Sequence, residues 1–270
     1  MLDNEKQVEE KDFLYEQDEK SFVELFEIVV SANFSEINMK HKKDIERICS
    51  SFNYQYEIMS YYVRLFHIGY INHANELLFT TFHKSLINLK TAFYLNRRSL
   101  WGPLRPLLRQ VFESLLISKY CSLNYQSREV LKLWKEGKQI SLGKIFKKIE
   151  ISDLDALKEL WGVLNDITHA TKFSSQPTLT YRSNRTDIAD VTVNFIWIEL
   201  MLECKYHLLT EHIINSSLTY YLKSYAPEDY ERVKFLKKML RQNYNESKKR
   251  MKGNERKILQ AYKSSWSIKN

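Results

Sequence analysis

Long stretches of this chain contain no residue that breaks a helix. The 270 residues include only six glycines and four prolines. A β-rich fold needs many tight turns, and glycine and proline are the residues that most often form them. The sequence therefore predicts an all-α protein. We expect a multi-helix bundle of about eight to ten helices, with long central helices and less than about 5% strand.

Charge divides the chain into unequal parts. Residues 1–36 contain eleven acidic and three basic side chains, whereas the remaining residues contain 22 acidic and 38 basic ones. We predict an acidic N-terminal arm or helix at residues 1–34, a helical-bundle core at residues 35–225 and a basic C-terminal helical extension at residues 226–270. A break at residues 31–35 should separate the arm from the core, with Ser35 as a helix N-cap. The first ten or so residues should be only loosely attached.

Two apolar stretches, residues 104–120 and 153–172, have helical periodicity and carry a few charged or titratable side chains. Arg109 and Glu113 are four residues apart, so they share a helix face. Polar groups on an apolar face need partners. We therefore expect Arg109 and Glu113 to interact and to be at least half buried. Removing one partner of a buried pair typically costs about 3–5 kcal/mol.

The second helix carries Asp166 and His169, three residues apart and therefore neighbours on one face. Two interpretations remain open. In the first, all four groups form a structural network that holds the two helices in register. In the second they are catalytic residues: His169 moves a proton, Arg109 holds an anion, and Asp166 or Glu113 orients the imidazole.

Basic side chains without acidic neighbours flank this pair of helices. Residues 77–112 contain six Lys/Arg and no Asp/Glu, and residues 167–186 contain three and again no acid. Two such stretches meeting at one place would attract phosphate, which makes RNA the expected partner. The candidate nucleic-acid-binding residues are Arg97, Arg98, Arg105, Lys172, Arg182 and Arg185. The alternative is that these charges only solvate helix faces.

Residues 187–222 predict one long helix, with Glu199, Glu203, His207 and Glu211 at four-residue spacing. A carboxylate-bridged di-metal bundle uses a Glu-x-x-His pair instead, with three-residue spacing. The three cysteines lie too far apart for a zinc site, and no glycine-rich nucleotide-binding loop is present. We therefore expect neither a metal nor a cofactor.

The compartment is predicted from the cysteines and from the hydropathy. Cys49, Cys121 and Cys204 are widely spaced, which favours reduced core thiols in a cytoplasmic protein. No run of 18 apolar residues is present, so we expect no membrane span. The acidic first residues are unlike a secretory signal.

Arg109 and Glu113 form an R-x-x-x-E pattern on an apolar helix, and the sequence LNDITHAT follows at residues 164–171. This combination resembles uncharacterised bacterial all-helical proteins, which are loosely similar to the HEPN-type bundles. The resemblance covers about residues 61–171. The hallmark HEPN motif, an arginine followed four to six residues later by histidine, is not present, because Arg109 and His169 lie on different helices.

The resemblance implies an RNA-directed function of the antiviral defence or toxin–antitoxin type. The protein would then be an RNA binder or a metal-independent ribonuclease. The alternative is a non-enzymatic helical interaction or scaffold protein, acting through a protein partner or as a homodimer, whose Arg109, Glu113 and His169 are structural.

Overall fold

The computed structural model describes residues 22–66, 73–123, 128–168, 188–264 and 267–268. These residues form eleven α-helices, a short π-helical segment and two strands of two residues each. The helices are α1 (Phe22–Lys40), α2 (Lys42–Phe66), α3 (His73–Asn96), α4 (Trp101–Leu123), α5 (Arg128–Lys135), α6 (Leu142–Lys148), α7 (Leu154–Thr168), α8 (Ile188–Leu209), α9 (Ser217–Tyr225), α10 (Pro227–Arg250) and α11 (Asn254–Lys263). The strands β1 (Ile149–Glu150) and β2 (Ser267–Ile268) pair in antiparallel fashion. The predicted all-α class is confirmed.

Helix α8 lies at the centre of the bundle, in contact with α2, α3, α4, α10 and α11. Apolar residues occupy all sides of it, which is the pattern of a helix buried by its neighbours. Phe195, Ile198 and Leu202 are at most 1% exposed. Burial of such side chains is the main favourable term in folding, at about 1.5–3 kcal/mol for each.

The two C-terminal helices contribute to this same core. Tyr244 of α10 and Tyr262 of α11 are buried, and Met251 between the two helices is fully buried. Residues of the predicted basic extension therefore share one core with the rest of the described bundle. The predicted boundary at residue 34 falls inside α1, whereas residues 1–11, for which loose attachment was expected, lie outside the described residues.

The predicted break at residues 31–35 is wrong, because α1 continues through Ser35 and ends at Lys40. A serine favours a helix start but does not force one, and no glycine or proline lies in this segment. The single predicted helix at residues 187–222 is also wrong. The chain widens into a π-helical segment at Thr210–Ile214 and restarts as α9, where the Ser216 hydroxyl caps the new helix by accepting from the Leu218 amide.

Helices α3 and α4 form an antiparallel hairpin, and of the helix pairs in the described residues this one has the most extensive contact. The Asn88 side-chain amide donates to Gln110 Oε1 at 3.2 Å, and Thr81 contacts Ser118 through their hydroxyls, which fixes the register. Residues 97–100 form the turn, closed by the Leu100 amide donating to the Leu95 carbonyl at 2.9 Å. The hairpin therefore brings the end of α3 and the start of α4 together.

Two of the three cysteines lie in the hydrophobic core. Cys121 and Cys204 are buried and form no disulfide, and burial raises the pKa of Cys121 to about 12. Both are therefore protonated core residues. Cys49 is partly buried and also free. None of the helices in the described part of the chain is both long and apolar enough to cross a membrane.

Candidate nucleic-acid interface

Four basic side chains lie around the α3–α4 turn, and we call them the turn cluster: Lys90, Arg97, Arg98 and Arg105. Lys90 belongs to the last turns of α3, Arg97 and Arg98 follow the end of that helix, and Arg105 lies in the first turns of α4. The antiparallel hairpin is what brings them to one end of the molecule. No Asp or Glu occurs in residues 77–112, so no acidic side chain of the hairpin neutralises this end.

Arg97 and Arg98 stack on the same aromatic ring. Their Cζ atoms lie 4.6 and 4.7 Å from the centroid of the Phe34 ring of α1. Arg97 also donates from Nε to Asn38 Oδ1 at 2.8 Å. Neither guanidinium forms an ion pair with a carboxylate of the described residues. Two neighbouring cations are thus held in fixed positions by aromatic and neutral contacts, and their charges remain uncompensated there.

Two cations of the turn cluster, Arg97 and Lys90, also act electrostatically on Cys49 of α2. Burial raises the pKa of Cys49, and the positive charges of Arg97 and Lys90 partly offset that rise. The positive charges of Arg97 and Lys90 therefore both lie close enough to Cys49 to favour its thiolate.

Arg109 differs from the turn cluster because it has an acidic partner. Its Nε donates to Glu113 Oε1 at 2.9 Å, and the two side chains are 23% and 28% exposed. The expectation that they interact and are at least half buried is confirmed. Trp161 of α7 donates from its indole to the same oxygen at 3.2 Å. Glu113 therefore links α4 to α7, which is a structural use of the carboxylate.

Substituting Glu113 by alanine should lower the free energy of unfolding by about 1–2 kcal/mol, less than for a fully buried pair, because water reaches both side chains. Trp161→Phe is the companion variant. It removes the indole donor together with part of the packed ring, and it should cost about 1–3 kcal/mol. Chemical denaturation of both variants measures this. An unchanged midpoint for Glu113→Ala would show that the link between α4 and α7 contributes nothing.

The side chains of the remaining predicted site residues lie outside the described part of the chain. His169, Lys172, Arg182 and Arg185 lie outside the described residues, and the side chain of Asp166 in α7 lies outside them too. The structure therefore brings together Arg97 and Arg98, places Arg105 in the first turns of α4, and keeps Arg109 with Glu113. The predicted catalytic arrangement around His169 stays a prediction.

A second set of charges lies inside the bundle, along α8. Glu199 is 2% exposed and accepts from Arg47 Nε of α2 at 2.9 Å. Glu203 is fully buried and lies 3.0 Å from Lys248 Nζ of α10 and 3.3 Å from Lys263 Nζ of α11. These ion pairs connect α8 with three neighbouring helices. The spacing of the glutamates was visible in the sequence, but their partners were not.

Two lysines in this interior were missed altogether. Lys119 of α4 is buried and pairs with Glu211 at 3.1 Å. Lys205 of α8 is also buried, and its Nζ donates to the Phe82 carbonyl and to Ser85 Oγ, each at 2.7 Å. The sequence does offer a signal for both, because each lysine lies inside an apolar run. Lys119 lies in LLISKYCSL and Lys205 in LMLECKYHLL.

The contact between Ser85 and Lys205 has the composition of a nucleophile and a base, as in Ser–Lys hydrolases. Ser85 is 1% exposed and Lys205 is 0% exposed, so a substrate has no access to either group. We therefore assign this pair to the packing of α3 against α8. In the described part of the chain, no group of three or more histidine, cysteine or acidic side chains is placed to hold a metal ion.

Within the turn cluster, Arg97 and Arg98 have no carboxylate partner among the described residues, an arrangement that can bind anions. In comparisons with known proteins, no family model, no curated protein and no solved structure matches this chain.

Proposed function

We propose that this protein binds RNA through the turn cluster, as a helical protein of the bacterial defence or toxin–antitoxin type. The observation that carries the proposal is the pair Arg97 and Arg98, stacked on Phe34 without a carboxylate partner among the described residues. Guanidinium groups bind phosphate oxygens in a forked geometry. A bound phosphate would therefore supply the negative charge that the described residues do not provide.

The preorganisation of these arginines supports binding in a further way. A free arginine loses rotamer freedom when it binds a ligand, and that loss reduces affinity. Arg97 is already held by Phe34 and by the Asn38 side chain, so less freedom remains to be lost. Lys90 in the last turns of α3 and Arg105 in the first turns of α4 add two more cations near the turn, as expected for binding a chain of several phosphates.

Catalysis remains the second part of the proposal. A metal-independent ribonuclease needs a base and a cation near the attacked phosphate. His169 is the proposed base, and Arg109 is the proposed cation. The bond between Arg109 and Glu113 favours a structural role for this arginine instead. If that role is its only one, the protein is an RNA binder or an interaction protein without enzymatic activity.

The test is a filter-binding titration of labelled RNA at several salt concentrations. Arg97→Gln/Arg98→Gln should weaken binding about tenfold or more at low salt, because each charge-assisted hydrogen bond contributes about 1.5 kcal/mol or more. The log–log salt slope should become shallower by about 0.7 for each lost phosphate contact on single strands. The weakening should be the same for RNAs of different sequence, because phosphate contacts carry no sequence information.

Arg64→Ala/Arg128→Ala is the matched control, because it removes the same net charge from two exposed positions away from the turn. It should leave affinity nearly unchanged. Equal losses in the two double variants would mean that only net charge matters. Wild-type protein that binds no RNA at low salt would favour the non-enzymatic interaction protein. Product analysis in the same samples tests for cleavage.

A further inference from the structure

The exposed side chains next to the turn cluster include one large aromatic ring. Tyr94 lies near the end of α3 and is 44% exposed. Lys90 precedes it by four residues on the same helix, so the two share one face of α3, and Arg98 follows in the turn after the helix ends. The Arg98 Cζ atom lies 5.9 Å from the centre of the Tyr94 ring. The surface therefore presents a cation, an aromatic ring and a second cation in order.

We propose that Tyr94 stacks on an unpaired base, so that the turn cluster binds single-stranded rather than double-stranded RNA. This inference rests on the proposed function. Proteins that bind single strands combine a positively charged track for the backbone with aromatic rings on which bases stack. A duplex keeps its bases stacked on each other and is recognised mainly by its shape and backbone.

The geometry gives each group a separate role. Lys90 lies one helical turn before Tyr94, about 6 Å along the axis of α3. Arg98 lies beyond Tyr94 in the turn, with its Cζ atom 5.9 Å from the ring centre. The two cations can therefore contact phosphates on either side of a base that lies on Tyr94. Phe34 does not compete for this role, because its ring already carries Arg97 and Arg98. Arg98 lies farther from the Tyr94 ring, at 5.9 Å, and 44% of Tyr94 is exposed, so the exposed part of this ring can take a base.

The experiment compares an unstructured oligouridine with a blunt RNA duplex, both titrated against wild type, Tyr94→Ala and Tyr94→Phe. Tyr94→Ala should weaken oligouridine binding about fivefold or more, the loss expected from one base–aromatic stack, and should leave duplex binding unchanged. Tyr94→Phe keeps the ring and should bind as wild type does. Tyr225→Ala, which removes a 65% exposed tyrosine from α9, is the control for general aromatic effects.

The outcomes separate this inference from the function on which it rests. Selective loss of oligouridine binding in Tyr94→Ala supports stacking. Equal effects on both RNAs, or no effect on either, would overturn the inference while RNA binding itself stands. Wild-type protein that binds neither RNA overturns both. Circular dichroism of each variant confirms that the helices remain, and since Tyr94→Phe retains the packing, its binding distinguishes stacking from misfolding.

Discussion

Replacing Glu203 by alanine should lower the free energy of unfolding by about 3–5 kcal/mol, the range seen when one partner of a buried ionic cluster is removed. Glu203 is fully buried, and Lys248, Lys263 and His207 all lie close to its Oε1 atom. Without the carboxylate, two ammonium groups from α10 and α11 would face each other across the space that it leaves. The bundle would lose the ion pairs by which Glu203 connects α8 to α10 and α11.

Substitution by glutamine distinguishes charge from volume. Glu203→Gln keeps the size of the side chain and removes its charge, so it should still destabilise the protein by about half as much or more if the ion pairs are the main contribution. Glu231→Ala is the matched control. Glu231 is 66% exposed and pairs with Lys234, so its loss should change stability by less than about 0.5 kcal/mol. Urea denaturation of the three variants measures the differences.

The pH dependence has a definite sign. Burial raises the pKa of Glu203, but the nearby His207 imidazole and the charges of Lys263 and Lys248 outweigh it, so the pKa lies below its ordinary value. The stabilisation is therefore fully present above the unfolded pKa of about 4.3 and is lost as pH falls through the lower folded value. The stability difference between wild type and Glu203→Gln should shrink below about pH 4. A difference that grows on acidification would contradict the assignment.

The sequence was sufficient for the helix class and for local pairs. Scarce glycine and proline predicted long helices, and the four-residue spacing of Arg109 and Glu113 predicted their contact, because both depend on neighbours along one helix. The prediction of a break at residues 31–35 was wrong for a physical reason. A capping residue makes a helix start favourable, but α1 continues to Lys40, carrying Phe34 to Arg97 and Arg98 and Asn38 to Arg97.

Contacts between distant parts of the chain could not be read from spacing. Arg47 and Glu199 are separated by 152 residues, and Lys205 reaches a backbone carbonyl 123 residues away. Neither pair leaves a periodic pattern, because the partners lie on different helices whose relative rotation is set by packing. The acid-free stretch at residues 77–112 was visible, but the stacking of Arg97 and Arg98 on Phe34 depends on where α1 lies.

Lys205→Met should stabilise the protein by about 1–3 kcal/mol at pH 7, in contrast to most core substitutions. Lys205 is fully buried, its Nζ lies 3.4 Å from the centre of the Phe82 ring, and burial lowers its pKa well below the ordinary value. Keeping this amine in the core costs free energy, because in the unfolded chain it would be protonated and hydrated. Methionine has a similar length and flexibility and carries no such cost.

The partners that Lys205 leaves behind remain satisfied. Ser85 Oγ donates to the Phe82 carbonyl at 2.9 Å, so both groups still have a hydrogen bond after the amine is removed. A buried polar atom without a partner costs about 1–3 kcal/mol, and this substitution creates none. The gain from removing the amine is therefore not offset by a new unsatisfied group.

The gain should depend on pH, because the folded pKa of Lys205 lies below the unfolded value of about 10.4. Between these two values the unfolded chain binds more protons, so the stability of wild type rises with pH across that window. Lys205→Met lacks this slope, and its advantage should shrink as pH approaches about 10. Urea denaturation at pH 7 and pH 9.5 measures the change, with Lys84→Met, at the exposed residue next to Ser85, as control. Destabilisation at pH 7 would show that the hydrogen bonds of the amine outweigh its burial.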